Sequence, residues 1–110
     1  MGLAGCYERQ RDDLDYSYSV FQTVQSPELA DHELVQFESV FWEPDDTTSL
    51  RKLIADDSIA DGRSVLEIGT GTGLLSLICL TGGASEVVAT DINPAAVANA
   101  RYNAARLELE

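Results

Sequence analysis

The chain is poor in bases, sulfur and imidazole. Its 110 residues hold seven Lys and Arg against 19 Asp and Glu, with one histidine, one tryptophan and two cysteines. A net charge of -12 repels a phosphate backbone, which argues against nucleic acid as the partner of this segment. The charge is uneven: residues 1–62 carry 14 of the acids and 4 of the bases, a net -10, which reads as a solvated acidic face. Cys6 and Cys79 stand far apart with no C-x-x-C or histidine spacing, so no metal site is indicated; Cys79 in an apolar helix is expected to be a buried thiol, which suits the reducing cytoplasm. Leu3-Ala4-Gly5-Cys6 is similar to a lipoprotein cleavage box, but the basic and apolar regions of a signal peptide are missing before it. Leu74 to Leu80, the longest apolar stretch, is interrupted by Ser76 and too short to cross a bilayer, so no membrane partner is expected.

What the chain does contain is centred on Val65-Leu66-Glu67-Ile68-Gly69-Thr70-Gly71-Thr72-Gly73. This reads as an apolar strand, a turn too tight for side chains and the start of a helix from Leu74 to Leu80. Glycines at alternate positions permit positive φ and let a ligand approach the main chain. Glu86 to Asp91 then reads as a second apolar strand ending in an acid, where a nucleotide-binding βαβ unit places a carboxylate on ribose hydroxyls. The nicotinamide fingerprint G-x-G-x-x-G would need glycine at Leu74 or Ser76, and neither position has it. Glu67, inside the strand, is foreign to that fingerprint too; it would put a carboxylate at the strand's carboxyl end, suited to an ammonium group.

In these residues the chain resembles the class I S-adenosylmethionine-dependent methyltransferases, whose first motif has the form E/D-x-G-x-G-x-G. Glu67, Gly69, Gly71 and Gly73 match it position by position, and Asp91 matches the family's ribose-binding acid. The resemblance covers roughly residues 41–107 and implies S-adenosylmethionine as cofactor. It assigns Glu67 to the amino-acid end, the main chain from Gly69 through Thr70 and Gly71 to Gly73 to the methionine and ribose portion, Asp91 to the ribose diol and Ile92 to the adenine. Val40 to Thr47 is similar to the segment preceding this motif in the release-factor glutamine methyltransferases, which would set Asp46 and Thr47 beside the methionine end; helix capping would also explain them. The acceptor implied is an amide or exocyclic nitrogen, in a protein rather than RNA. The family's Asn-Pro-Pro-Tyr acceptor motif is not found; Asn93-Pro94 is followed by Ala95 and reads as a helix start. A ribosomal RNA guanine methyltransferase is a close relative by Asp91 to Ala96, a nicotinamide or flavin oxidoreductase is the second class, and a non-catalytic interaction module the third.

The expected fold is α/β: a partial doubly wound, Rossmann-like parallel sheet preceded by a strand and helix extension. Residues 1–45 are assigned to that extension, with a β-hairpin, and 46–110 to the first part of the methyltransferase domain. Residues 1–13 read as a frayed terminus. Leu14 to Val24 alternates with period two and reads as a strand, with Leu14, Tyr16, Tyr18 and Val20 on one side, and Leu34 to Trp42 as its partner. Glu43 to Thr48 reads as a helix N-terminus, and a helix of about three turns is expected to run to Asp57 with Leu50, Leu53 and Ile54 on one face, turned inward. The strand from Arg63 to Ile68 is expected to be covered by helices on both faces. Two parallel strands would leave open edges, so the sheet is expected to be completed in a longer protein, by self-association or by domain exchange.

Overall fold

The computed structural model describes residues 18–29 and 31–109; the expected frayed terminus, Cys6 and the beginning of the first expected strand lie outside these. Strands β1 (Val20–Val24) and β2 (Leu34–Phe37) pair antiparallel, Val24 opposite Leu34 and Val20 opposite Phe37. The register slips between Val20 and Gln22. That irregularity breaks the period-two alternation, and Val20 lies exposed rather than on a buried side with Tyr18. Strand β2 also stops earlier than its apolar run suggests, at a turn in which Ser39 takes φ 67°.

A 3₁₀ turn, Pro44–Thr47, leads into α1 (Thr48–Asp56). The hydroxyls of Thr47 and Thr48 donate back to the carbonyls of Pro44 and Asp45 at 3.1 and 3.2 Å instead of capping amides. The buried face of α1 consists of Arg51 and Ile54, whereas Leu50 and Leu53, expected inside, are exposed.

Strands β3 (Ser64–Ile68) and β4 (Glu86–Thr90) run parallel, joined by α2 (Leu74–Thr81), and α3 (Pro94–Arg106) follows β4. Asn93 caps α3 as its sequence position suggests, its Oδ1 accepting from the Ala95 N–H at 3.0 Å. The connection back from α2 is held where the Gly62 N–H donates to the Gly83 carbonyl at 2.8 Å.

The parallel pair buries one face. Val87 and Ala89 join Ile54, Leu74, Leu77, Ile78 and Ala104 in the main core. The other face is bare among the described residues: Leu66 is 65% and Ile68 82% exposed, so the expected cover on both sides is not present. Its apolar character belongs to a sheet with two covered faces, and these three helices supply one layer.

Helix α3 is tied to β2 by two side chains that sequence periodicity did not single out. Asn99 and Asn103, one turn apart and fully buried, meet the main chain of β2 across more than 60 positions of sequence. Asn99 Oδ1 accepts from the Phe37 N–H at 2.7 Å and Asn103 Oδ1 from the Val35 N–H at 2.8 Å, while both amides donate to the Val35 carbonyl. Asn103 also donates to the Thr72 carbonyl at 2.8 Å, joining the hairpin, α3 and the glycine turn at one point. A helix cannot pair with a strand edge through its own backbone, whose groups are used internally. These asparagines satisfy the edge in its place.

Candidate functional site

The turn after β3 is shaped by glycine. Gly69, Gly71 and Gly73 have φ of 80°, 57° and 92°, in the left-handed region where a Cβ is strained. Their roles differ. A Cβ on Gly73 would lie 2.9 Å from both Cα and Cβ of Ala100, so this position lets α2 and α3 approach. A Cβ on Gly69 would meet nothing within 4 Å, and Gly69 lines an open cavity of about 360 Å³. Gly73→Ala is accordingly expected to cost about 2 kcal/mol of stability in a urea melt. Gly69→Ala is expected to cost about 1 kcal/mol from backbone strain alone, with its main effect on ligand affinity.

The two carboxylates sit on either side of this turn. Glu67 is half-buried at the end of β3, where Thr70 Oγ1 and Ser76 Oγ both donate to its Oε1, at 2.7 and 2.6 Å. Burial pushes its pKa up, with the nearby Asp91 charge acting in the same direction and the two hydroxyls only partly opposing. Ser76 joins the site because α2 starts directly after the turn and directs its third residue back at the strand; no motif marked it. Burial, then the Glu67 charge, also push the buried Cys79 thiol up, as expected of an inert structural cysteine. Asp91 accepts from the Gly71 N–H at 3.0 Å and the Asn93 N–H at 2.9 Å, one bond on each carboxylate oxygen. The Gly69 and Thr70 N–H groups both donate to the Thr90 carbonyl, at 2.8 and 2.9 Å, fixing the turn against the end of β4.

One cavity therefore brings together Glu67, Gly69, Thr70, Gly71, Asp91 and Thr47, along with Asp46. Gly73 is buried beneath it against Ala100, and Ile92 is fully solvent-exposed; neither lines it. The opposite wall comes from the segment after β2: Ser39, Phe41, Trp42, Glu43 and Pro44. Asn93 Nδ2 donates to the Ser39 carbonyl at 2.9 Å and holds that wall to the start of α3. Among the described residues the lining includes four carboxylates, Glu43, Asp46, Glu67 and Asp91, and no lysine or arginine. Such a cavity favours a cation and disfavours a pyrophosphate. Among the described residues no group of His, Cys, Asp and Glu could hold a metal ion.

The profile of the ribosomal protein L11 methyltransferase (PrmA) family matches residues 45–110, more than half of the chain. A protein of Methanocaldococcus jannaschii, named as a candidate protein N5-glutamine methyltransferase, is 45% identical over 64 residues, covering 57% of this chain and 31% of that protein. Ribosomal protein L11 methyltransferases of Symbiobacterium thermophilum and Acetivibrio thermocellus are each 41% identical, over 64 and 58 residues. These alignments take in 58% and 53% of this chain and 21% and 18% of those proteins, so the chain spans a third or less of each relative's length.

Proposed function

The chain belongs to the ribosomal protein L11 methyltransferase family, within the class I S-adenosylmethionine-dependent methyltransferases, and from this we propose that it holds S-adenosylmethionine between Glu67 and Asp91 and serves methyl transfer to a protein nitrogen. The observation that carries this reading is the cavity itself: two carboxylates on either side of a glycine-rich turn, in a lining that has neither lysine nor arginine among the described residues. A sulfonium donor with an ammonium group and no phosphate fits that electrostatic setting. A nicotinamide dinucleotide would bring its pyrophosphate among four carboxylates.

Glu67 would receive the ammonium group, with Thr70 and Ser76 fixing the carboxylate's orientation. Asp91, already held by two main-chain amides, would receive the ribose diol, and Gly69 and Gly71 would allow close approach. Thr47 and Asp46 would border the methionine end and Ile92 the adenine, with Gly73 setting the turn from below. When bound, the sulfonium supplies an electrophilic methyl group for in-line displacement, and the protein's contribution is position and charge.

A protein acceptor is favoured over RNA, in keeping with the acidity of the chain and with the names of its relatives. The acceptor-binding motif is not within these 110 residues, so this chain is assigned the cofactor half of the reaction and is expected not to turn over by itself. Among the described residues no further strand adjoins the β3–β4 pair, and further polypeptide, a second copy or exchanged strands would supply one. A cytoplasmic location is part of the same reading; among the described residues no helix is long and apolar enough to cross a membrane.

Calorimetric titration with S-adenosylhomocysteine and with NAD tests the assignment. Heat is expected with the first, about tenfold weaker binding in Asp91→Asn through loss of a charged hydrogen-bond acceptor. Heat with NAD alone would reverse it.

A further inference from the structure

The cavity wall at Pro44–Thr47 is a 3₁₀ turn, and one buried side chain from α1 bonds to it at several points. Arg51 is 6% exposed on α1. Its Nε donates to Thr47 Oγ1 at 3.2 Å, and its Nη2 to the Pro44 carbonyl at 2.9 Å and to Thr48 Oγ1 at 3.3 Å. Its Nη1 pairs with the Glu28 carboxylate and reaches Ser26 Oγ at 3.3 Å. Ser26 and Glu28 lie in the connection between β1 and β2, while Pro44 and Thr47 line the cavity. One planar cation thus spans two segments that share no strand pairing.

Resting on the function proposed above, we propose that Arg51 is a positioning residue for the cofactor, acting through Pro44 and Thr47 and coupling the β1–β2 connection to cofactor affinity. The guanidinium suits this task because its rigid fork reaches several acceptors at once in different directions. Thr47 illustrates the coupling. Its hydroxyl donates to Pro44 and accepts from Arg51, so the arginine adds a second tie to an oxygen already held by the Pro44 carbonyl. Glu28 keeps the buried cation compensated. Burial alone would raise this carboxyl, but hydrogen bonds from Ser26 and Arg51 prevail and hold it below the usual range.

The test uses the 110-residue chain, S-adenosylhomocysteine as probe, and amide hydrogen exchange. Arg51→Gln is expected to keep its far-ultraviolet spectrum, to bind the probe about tenfold more weakly, and to exchange faster than the wild type at residues 45–48 but not at 64–68. Arg51→Lys is expected to restore little, since one ammonium cannot bridge the same set of acceptors. Adding Thr47→Ala to Arg51→Gln is expected to cost less than the two losses combined. Wild-type affinity in a folded Arg51→Gln, full recovery with lysine, or additive losses would overturn the inference. If Arg51→Gln does not fold, Glu28→Gln replaces it: about threefold weaker binding is expected, and unchanged binding overturns it. If the wild-type chain does not bind the probe, the cofactor reading falls. The exchange comparison still decides whether Arg51 holds the wall, and unchanged exchange at 45–48 rejects that.

Discussion

Asn103→Ala is expected to lower the stability of the chain by about 3 kcal/mol, measured as a shift of the urea midpoint at constant slope. The substitution leaves the buried Val35 N–H without its acceptor and removes the amide that serves the carbonyls of Val35 and Thr72. An unpaired buried polar group costs about 1–3 kcal/mol, and of the three main-chain groups that bond Asn103 the Val35 N–H and the Thr72 carbonyl gain nothing from Asn99 in exchange. Alanine is the better helix former, but that gain is roughly 0.7 kcal/mol at most, too small to offset the loss. Asn99→Ala should cost less, about 2 kcal/mol, because the Phe37 N–H alone depends on Asn99, the Val35 carbonyl being shared with Asn103. Against a total of about 5–15 kcal/mol for an ordinary domain, the first change alone removes a large share. A shift below about 1 kcal/mol for Asn103→Ala would mean that water replaces the side chain at the strand edge.

Glu67→Gln is expected to separate stability from binding. Glutamine can still accept the Thr70 and Ser76 hydroxyls but carries no charge. Because the folded protein raises the Glu67 pKa, the native state holds the proton more tightly than the unfolded chain. Stability therefore declines as pH rises from the ordinary glutamate range through the raised folded value, because ionisation leaves a charge half-buried. The variant should melt higher than the wild type at neutral pH, and the gap should close on acidification below the ordinary glutamate range.

Binding should move the other way. An ammonium group favours the ionised carboxylate, so wild-type affinity should increase as pH rises through the raised value, with proton release detectable by titration in buffers of different ionisation heat. Loss of the charged partner should weaken binding of S-adenosylhomocysteine by about 30- to 100-fold, equivalent to about 2–3 kcal/mol. A variant that melts higher yet binds as tightly as the wild type would remove Glu67 from the cofactor site.

The parts of this molecule legible in the sequence are those whose causes are local. The glycine turn, the Asn93 cap and the break at Gly82 follow from backbone conformations that neighbouring residues specify, and their positions agree with the structure. The convergence of Glu67 and Asp91 was legible because a strand–turn–helix–strand unit returns the chain beside itself in a fixed register, Glu67 opposite Ala89.

What escaped notice depends on partners distant in sequence. Periodicity placed Leu50, Leu53 and Ile54 on the inner face of α1, but only Ile54 is buried, and it shares that face with Arg51, whose acceptors lie 3 to 25 residues away. Two asparagines one turn apart among alanines were a signal in themselves, since the pair weakens an isolated helix and invites a reason. That reason is a strand more than 60 residues earlier, which no periodicity reveals. Trp42 packs against the main core while its neighbour Phe41 is largely exposed, and both line the cavity.

Trp42 is the only indole in the chain and belongs to the wall that faces the glycine turn. Its emission thus reports on a single place in the molecule. A change in colour or intensity on adding a nucleoside reads out occupancy of that crevice directly, without dye or isotope, and the same signal in stopped flow times the arrival of the guest.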